Sequence, residues 1–140
     1  WTEVNDLNTA RQRPGGAGVQ TAALCFGGDK DPYLTFADET ELWNGSSWTE
    51  VADLNTARNG MGSMGTSTKA MGCGGYDDTV RAFTEHWNGT SWSEVGDLNN
   101  GRTIGAGSGT QSAGLMVGGW GPGNSEKTEE FNTVFQITPE

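Results

Sequence analysis

Three arginines, Arg11, Arg58 and Arg102, each follow an aspartate by five residues: Asp6, Asp53 and Asp97. A guanidinium is a planar fork of donors that fits a carboxylate with two parallel hydrogen bonds. The set therefore has two readings, a cluster that binds an acidic ligand or three internal Asp–Arg braces, and its regular recurrence favours braces. Acidic side chains gather at Asp29, Asp31 and Asp38, and again at Asp77 and Asp78. Calcium takes six to eight oxygen ligands, but these spacings match no calcium loop, so solvated acids and no metal site are expected. His86 is the only histidine, which permits at most one triad or histidine-based metal centre per chain. No catalytic residue and no cofactor are expected. Cys25 and Cys73 read as buried, unbridged thiols, the usual state of free cysteine. Tyr33, Tyr76 and Trp120 stand in or beside polar, glycine-rich segments, where exposed aromatics suit contact with a protein or a glycan.

Composition narrows the partners. The formal net charge is −10 with only eight Lys+Arg, whereas nucleic acid is held by clustered cations, so no nucleic-acid partner is expected. No apolar run approaches the roughly 20 residues that span a bilayer as a helix, and no membrane association is expected. The chain has 33% hydrophobic residues, 23 glycines and six tryptophans. A core must therefore come from a few large aromatics set among very small residues.

The elements that would position these side chains come from an internal repeat. Trp1, Trp48 and Trp92 open three copies of one phrase, at intervals of 47 and 44 residues. Without a gap, Val4, Val51 and Val95 coincide, as do Leu7, Leu54 and Leu98, the three arginines, and the pairs Gly27-Gly28, Gly74-Gly75 and Gly118-Gly119. TELW from Thr40, TEHW from Thr84 and TEEF from Thr128 align further on. Each unit reads as four short strands, here a to d: a glycine-rich one (around Gly15–Val19 in the first unit), an apolar one ending in Gly-Gly, one ending in Trp and one starting at Trp. Asn44-Gly45 and Asn88-Gly89 mark hairpin turns, because both residue types tolerate positive φ. That role also accounts for the Asn-x-Ser/Thr pattern at Asn44 and Asn88 without modification. The b–c segments (29–38, 76–81 and 120–127) vary in length and sequence, and they leave the same face as the d–a segments that carry the arginines.

Arginine, a small-residue strand, an apolar strand closing in Gly-Gly, then an aromatic, a turn and a tryptophan: this order resembles the kelch repeat, in three copies over nearly the whole chain. It departs in placing Trp43 and Trp87 where kelch units usually carry tyrosine. The near-identity of the copies also resembles kelch-like arrays of phage structural proteins. The resemblance implies an all-β, kelch-like β-propeller of three four-stranded blades per chain, a single domain over 1–140 with units of about 1–47, 48–91 and 92–140. It also implies a virion or extracellular setting.

In strand order the chain reads d, abcd, abcd, abc. Three blades fall below the four to eight usual for propellers. Either a second chain completes a six-bladed ring, strand 1–5 of each filling the other's last blade, or the chain is part of a longer propeller. The homodimer is favoured, since open sheet edges invite uncontrolled pairing and a two-fold ring removes both. Val134–Ile137 is a competing candidate for the last strand. The function expected is a non-enzymatic structural or adhesive module that binds protein or glycan through the b–c and d–a loop face, with Tyr33, Tyr76, Trp120, Arg11, Arg58 and Arg102 as candidate ligand-binding residues. The alternative is a glycan-acting enzyme of propeller fold, sialidase-like or lyase-like, which would need carboxylates and a nucleophile concentrated in one unit.

Overall fold

The computed structural model describes residues 1–30, 32, 35–123 and 126–133. Among these there are fourteen β-strands and no helix. β1 is Arg11–Gln12, β2 Gly15–Val19, β3 Ala22–Phe26, β4 Asp29–Lys30, β5 Thr35–Phe36, β6 Thr40–Trp43 and β7 Trp48–Val51. β8 is Gly62–Thr66, β9 Lys69–Cys73, β10 Thr84–Trp87, β11 Trp92–Val95, β12 Ala106–Thr110, β13 Ala113–Val117 and β14 Thr128–Asn132. They form four antiparallel sheets: β2-β3-β6-β7, β8-β9-β10-β11, β12-β13-β14 and a small β1-β4-β5. The a, b, c and d strands read from the repeat are the strands observed in the first two large sheets.

Two features stand at the ends of the strand order d, abcd, abcd, abc. Trp1–Val4 is not a strand here: residues 1–7 form no ladder, and Trp1 is fully exposed. Among the described residues the third large sheet has three strands, the a, b and c of that order. A strand needs a paired edge: Asn5 Nδ2 donates to Ser46 O at 2.8 Å and holds this segment by the first sheet, while among the described residues the unpaired outer edge belongs to the third. The Val134–Ile137 alternative lies outside the described residues.

The hairpins form as their residues dictate. Asn44 Oδ1 accepts the backbone N–H groups of Ser46 and Ser47, both at 2.9 Å, and Gly45 adopts φ 94°. The turn sets Trp43 opposite Trp48, with ring centroids 5.3 Å apart. The same chemistry at Asn88 sets Trp87 opposite Trp92.

The two tryptophans of the second hairpin have different tasks. Trp87 Nε1 donates to Ser67 O at 3.1 Å and so pins the turn of its own sheet. Trp92 crosses to the first sheet, where Nε1 donates to Thr40 Oγ1 at 3.0 Å and its ring lies 4.7 Å from that of Phe26. One core cluster, with Leu24, Phe26, Leu54, Met61, Ala70, Trp87 and Trp92, thereby joins the first two sheets. Met64, Met71, Cys73 and Met116 form a second cluster joining the next two. On the other side β8 runs between β2 and β12. The approach there is close enough that a Cβ on Gly107 would overlap the Ser63 backbone. Small residues on the first strands and large ones on the last fit sheets that converge at one edge and splay at the other.

The glycine pairs have a specific cause. Gly28 N donates to Arg58 O at 2.9 Å and Gly75 N to Arg102 O at 2.8 Å, so each pair receives the arginine segment of the following unit. Gly74 has φ 67°, and a Cβ there would strike the Arg102 carbonyl. Gly74→Ala is therefore expected to destabilise the fold by about 1–3 kcal/mol, read by urea denaturation. Gly96→Ala, where a Cβ meets nothing within 4 Å, should leave the midpoint unchanged or slightly raised.

Candidate functional site

The repeated arginines point inward. The Arg58 side chain is fully buried and donates to Glu85 Oε1 at 2.5 Å, to Gly74 O at 2.9 Å and to Thr56 O at 2.9 Å. Arg11 pairs with Glu41 and Arg102 with Glu129 in the same manner. The partner in each case is the glutamate of the TELW, TEHW or TEEF strand, not the aspartate five residues earlier. The sequence signal was present, since Glu41, Glu85 and Glu129 recur as regularly as the aspartates. Chain proximity favoured the wrong acid; the fold brings the third strand beneath the loop.

An asparagine completes each brace. Asn8 donates N and Nδ2 to Glu41 Oε2, Asn55 does the same to Glu85, and Asn99 to Glu129. Burial works to raise the Glu41 and Glu129 pKa values. The backbone donors at Asn8 and Asn99, with Arg11 and Arg102, outweigh it and hold both carboxyls below their ordinary range. These arginines thus hold the d–a loop to its own sheet, with no guanidinium turned outward.

The braced loops present a different set of residues to solvent. Asn59 and Tyr76 exchange backbone hydrogen bonds at 3.0 and 2.9 Å, as Thr103 and Trp120 do at 2.9 and 2.7 Å. The strand pair β1–β4 is the first unit's version of this clamp. Each d–a loop is thereby fastened to its own b–c loop, and both do lie on one face. Tyr76 and Trp120 meet in one open cleft of about 840 Å³, lined also by Asp78, Val80, Asn100 and Pro122. Trp120 is 64% exposed. Tyr76 is held edge-on against Phe36, with centroids 5.9 Å apart. Tyr33 lies outside the described residues.

Sequence reasoning missed the floor beside this cleft, where Arg13, Asn59, Thr103 and Ile104 line a smaller recess with Tyr76 and Trp120. Arg13, Gly60 and Ile104 are equivalent in the repeat, and all adopt left-handed φ, at 51°, 64° and 59°. For a β-branched residue such as Ile104 this is a strained conformation. Such strain collects at functional surfaces. A relay links them: Ile104 N donates to Gly60 O at 2.7 Å and Gly60 N to Arg13 O at 3.1 Å. The available signal was variation, because RQR, RNG and RTI differ where their surroundings are constant. Asn59 donates Nδ2 to Asp29 Oδ1 at 2.7 Å, and Arg13 pairs with Asp29 Oδ2 at 2.7 Å.

The remaining candidates are dispersed. Asp29 is buried in that pairing, Asp77 accepts from Arg81 at 2.5 Å, and Asp31 lies outside the described residues. Among the described residues no three His, Cys, Asp or Glu side chains converge on a common point. His86 is half-buried against Phe131, with ring centroids 5.0 Å apart, and desolvation lowers its pKa. Cys25 and Cys73 are free and buried, as expected; desolvation pushes the Cys73 thiol up to about 11.

No protein-family model matches the chain, and no curated protein matches it. Among solved structures it is similar to YjhT, with a TM-score of 0.75 at 12% sequence identity over 94% of this chain. The match takes in 45% of the YjhT chain, so this chain spans less than half that length. At this identity the likeness shows a shared fold alone.

Three outcomes follow. Arg58→Ala strands a buried carboxylate and should lower stability by about 3–5 kcal/mol in urea denaturation, with Glu85→Gln milder. Because the Glu41 and Glu129 pKa values are depressed, their stabilisation is complete above the unfolded value of ~4.3 and is lost as pH falls through the lower folded values. A melting series from pH 7 to pH 2 should show that decline. The folded protein should leave both thiols unreactive to a disulfide reagent at pH 8, and denaturant should release two.

Proposed function

We propose that the chain is half of a kelch-like β-propeller, completed to six blades by a second copy, and that it serves as a non-enzymatic binding module. Its contact surface is the face of paired loops, and its partner is a protein or a glycan. The observation that carries this reading is the cleft where Tyr76 and Trp120 converge on loops clamped by buried braces. An exposed indole offers a large apolar face at low entropic cost, and sugars and protein hot spots both use such faces. Asp78, Asn99 and Asn100 add hydrogen-bonding groups at the rim.

Several features support the module over the enzyme. The buried Arg–Glu pairs recur once in each unit and are occupied in holding loops. Rigid sheets carrying variable loops on one face are a common design for recognition. The match to less than half of a longer chain of the same fold is consistent with a half-ring. A virion or other extracellular surface is the setting proposed, on the resemblance of the repeats.

The test is a glycan array together with a panel of candidate surface proteins, probed with the wild-type chain and with Trp120→Ala. Binding that falls at least about tenfold in the variant, with unchanged melting, supports the reading. Binding indifferent to Trp120, or turnover of a glycan by the wild type, contradicts it.

A further inference from the structure

The repeat can be followed from one sheet junction to the next. Between the first and second sheets, Trp92 fills a slot walled by Leu24, Phe26, Leu54, Ala70 and Trp87 and closed by Thr40. One unit further on, the equivalent positions are Met71, Cys73, Leu98, Gly114, Phe131 and Thr84. All six line a narrow open cleft between the second and third sheets, of about 60 Å³. The position equivalent to Trp92 is Trp1. Trp92 is 5% exposed, whereas Trp1 is wholly exposed.

We propose that Trp1–Val4 of a second copy of this chain forms the fourth strand of the third sheet, on β14, with the Trp1 indole seated in this cleft. The proposal rests on the two-copy reading above and gives it a site and a register. β10 pairs with β11 as Thr84↔Val95, Glu85↔Glu94, His86↔Ser93 and Trp87↔Trp92. Carried forward one unit, Thr128 faces Val4, Glu129 faces Glu3, Glu130 faces Thr2 and Phe131 faces Trp1.

Three independent features of the structure expect that strand. Asn8 Nδ2 donates to Trp48 O at 3.0 Å and Asn55 Nδ2 to Trp92 O at 3.2 Å. The third member, Asn99 Nδ2, bonds Glu129 and has no strand carbonyl beside it among the described residues. Thr84 stands at the cleft where Thr40 receives the Trp92 N–H. Finally, among the described residues nothing covers the far face of the third sheet. Phe26, Cys73 and Val117 are equivalent, and their exposures are 0%, 2% and 42%. Leu24, Met71 and Leu115 follow the same course, at 2%, 1% and 39%. A strand donated from the first sheet of a second copy brings that sheet, with its half-buried Trp48, against this face. The chain's own Trp1 is a poor occupant, because it emerges beside the first sheet with the second sheet in between. Residues 134–140 carry no tryptophan.

The test has two arms, both on the 140-residue chain. Sedimentation over a concentration series should give a species of two chains. Trp1→Ala should weaken it on the order of 30-fold or more, as loss of a buried interface tryptophan does. Residues 1–7 belong to no strand, so this variant should keep its circular dichroism. In the second arm, Thr2→Cys and Glu130→Cys are mixed under mild oxidation. Facing residues of antiparallel strands have Cα atoms about 4.5–5.5 Å apart, within disulfide reach. The mixed pair should cross-link, while Thr2→Cys with Asn132→Cys should not. A chain monomeric at every concentration overturns the proposal, as does a dimer indifferent to Trp1→Ala or a mixture that fails to cross-link. The array reads the loop face separately: a dimer that cross-links in register but binds nothing through Trp120 leaves this proposal standing and removes the binding role.

Discussion

One indole joins the first two sheets. Trp92 starts the outermost strand of the second sheet, yet its ring and its N–H are spent on Phe26 and Thr40 of the first. Burying a side chain of this size removes some 150–250 Å² of surface from water. No other contact at that junction combines such area with a directed hydrogen bond. At the converging edge the opposite requirement holds, and Gly107 fits against Ser63 only because it lacks a side chain. A chain with 33% hydrophobic residues can hold its sheets together because its few large side chains sit where the sheets diverge most.

The ion pairs serve a different end. Burying an arginine and a glutamate costs much of what their attraction returns, so these braces are weak evidence of net stability. They do fix geometry. Arg58 ties one loop to the Glu85 strand and to the carbonyls of Gly74 and Thr56 at once, and Asn55 locks the other carboxylate oxygen. Loops anchored in this way can vary at their tips without disturbing the sheets below. The three left-handed residues Arg13, Gly60 and Ile104 lie on that frame, joined by their own backbone relay. Braced loops, strained backbone and exposed aromatics therefore occupy one face.

Much of this was legible before any coordinate. The four strands of the first two large units and the three of the third, the Asn-Gly turns, the glycine-rich first strands and the two unpaired cysteines follow from short-range chemistry and the repeat. The partner of each arginine was not legible, because a repeat says which residues are equivalent and nothing about which ones touch. Asp53 and Glu85 recur equally well, and only the sheet order puts Glu85 under Arg58. The cleft was half legible. Tyr76 and Trp120 stood out as aromatics in variable segments, but their meeting depends on the backbone clamps to Asn59 and Thr103. An edge strand exists only where a partner edge does, so the d strand read at Trp1–Val4 forms no ladder within one chain.

The central claim is that the face used between adjacent sheets within the chain is used again between copies of it. Hydrogen–deuterium exchange resolved to β14 tests it most directly. In the sheet as described, alternate β14 amides point away from β13 toward an open edge. The account predicts that these amides become protected as protein concentration rises, and lose protection on dilution while β13 stays protected. Rapid exchange of the outward β14 amides at every concentration would contradict it.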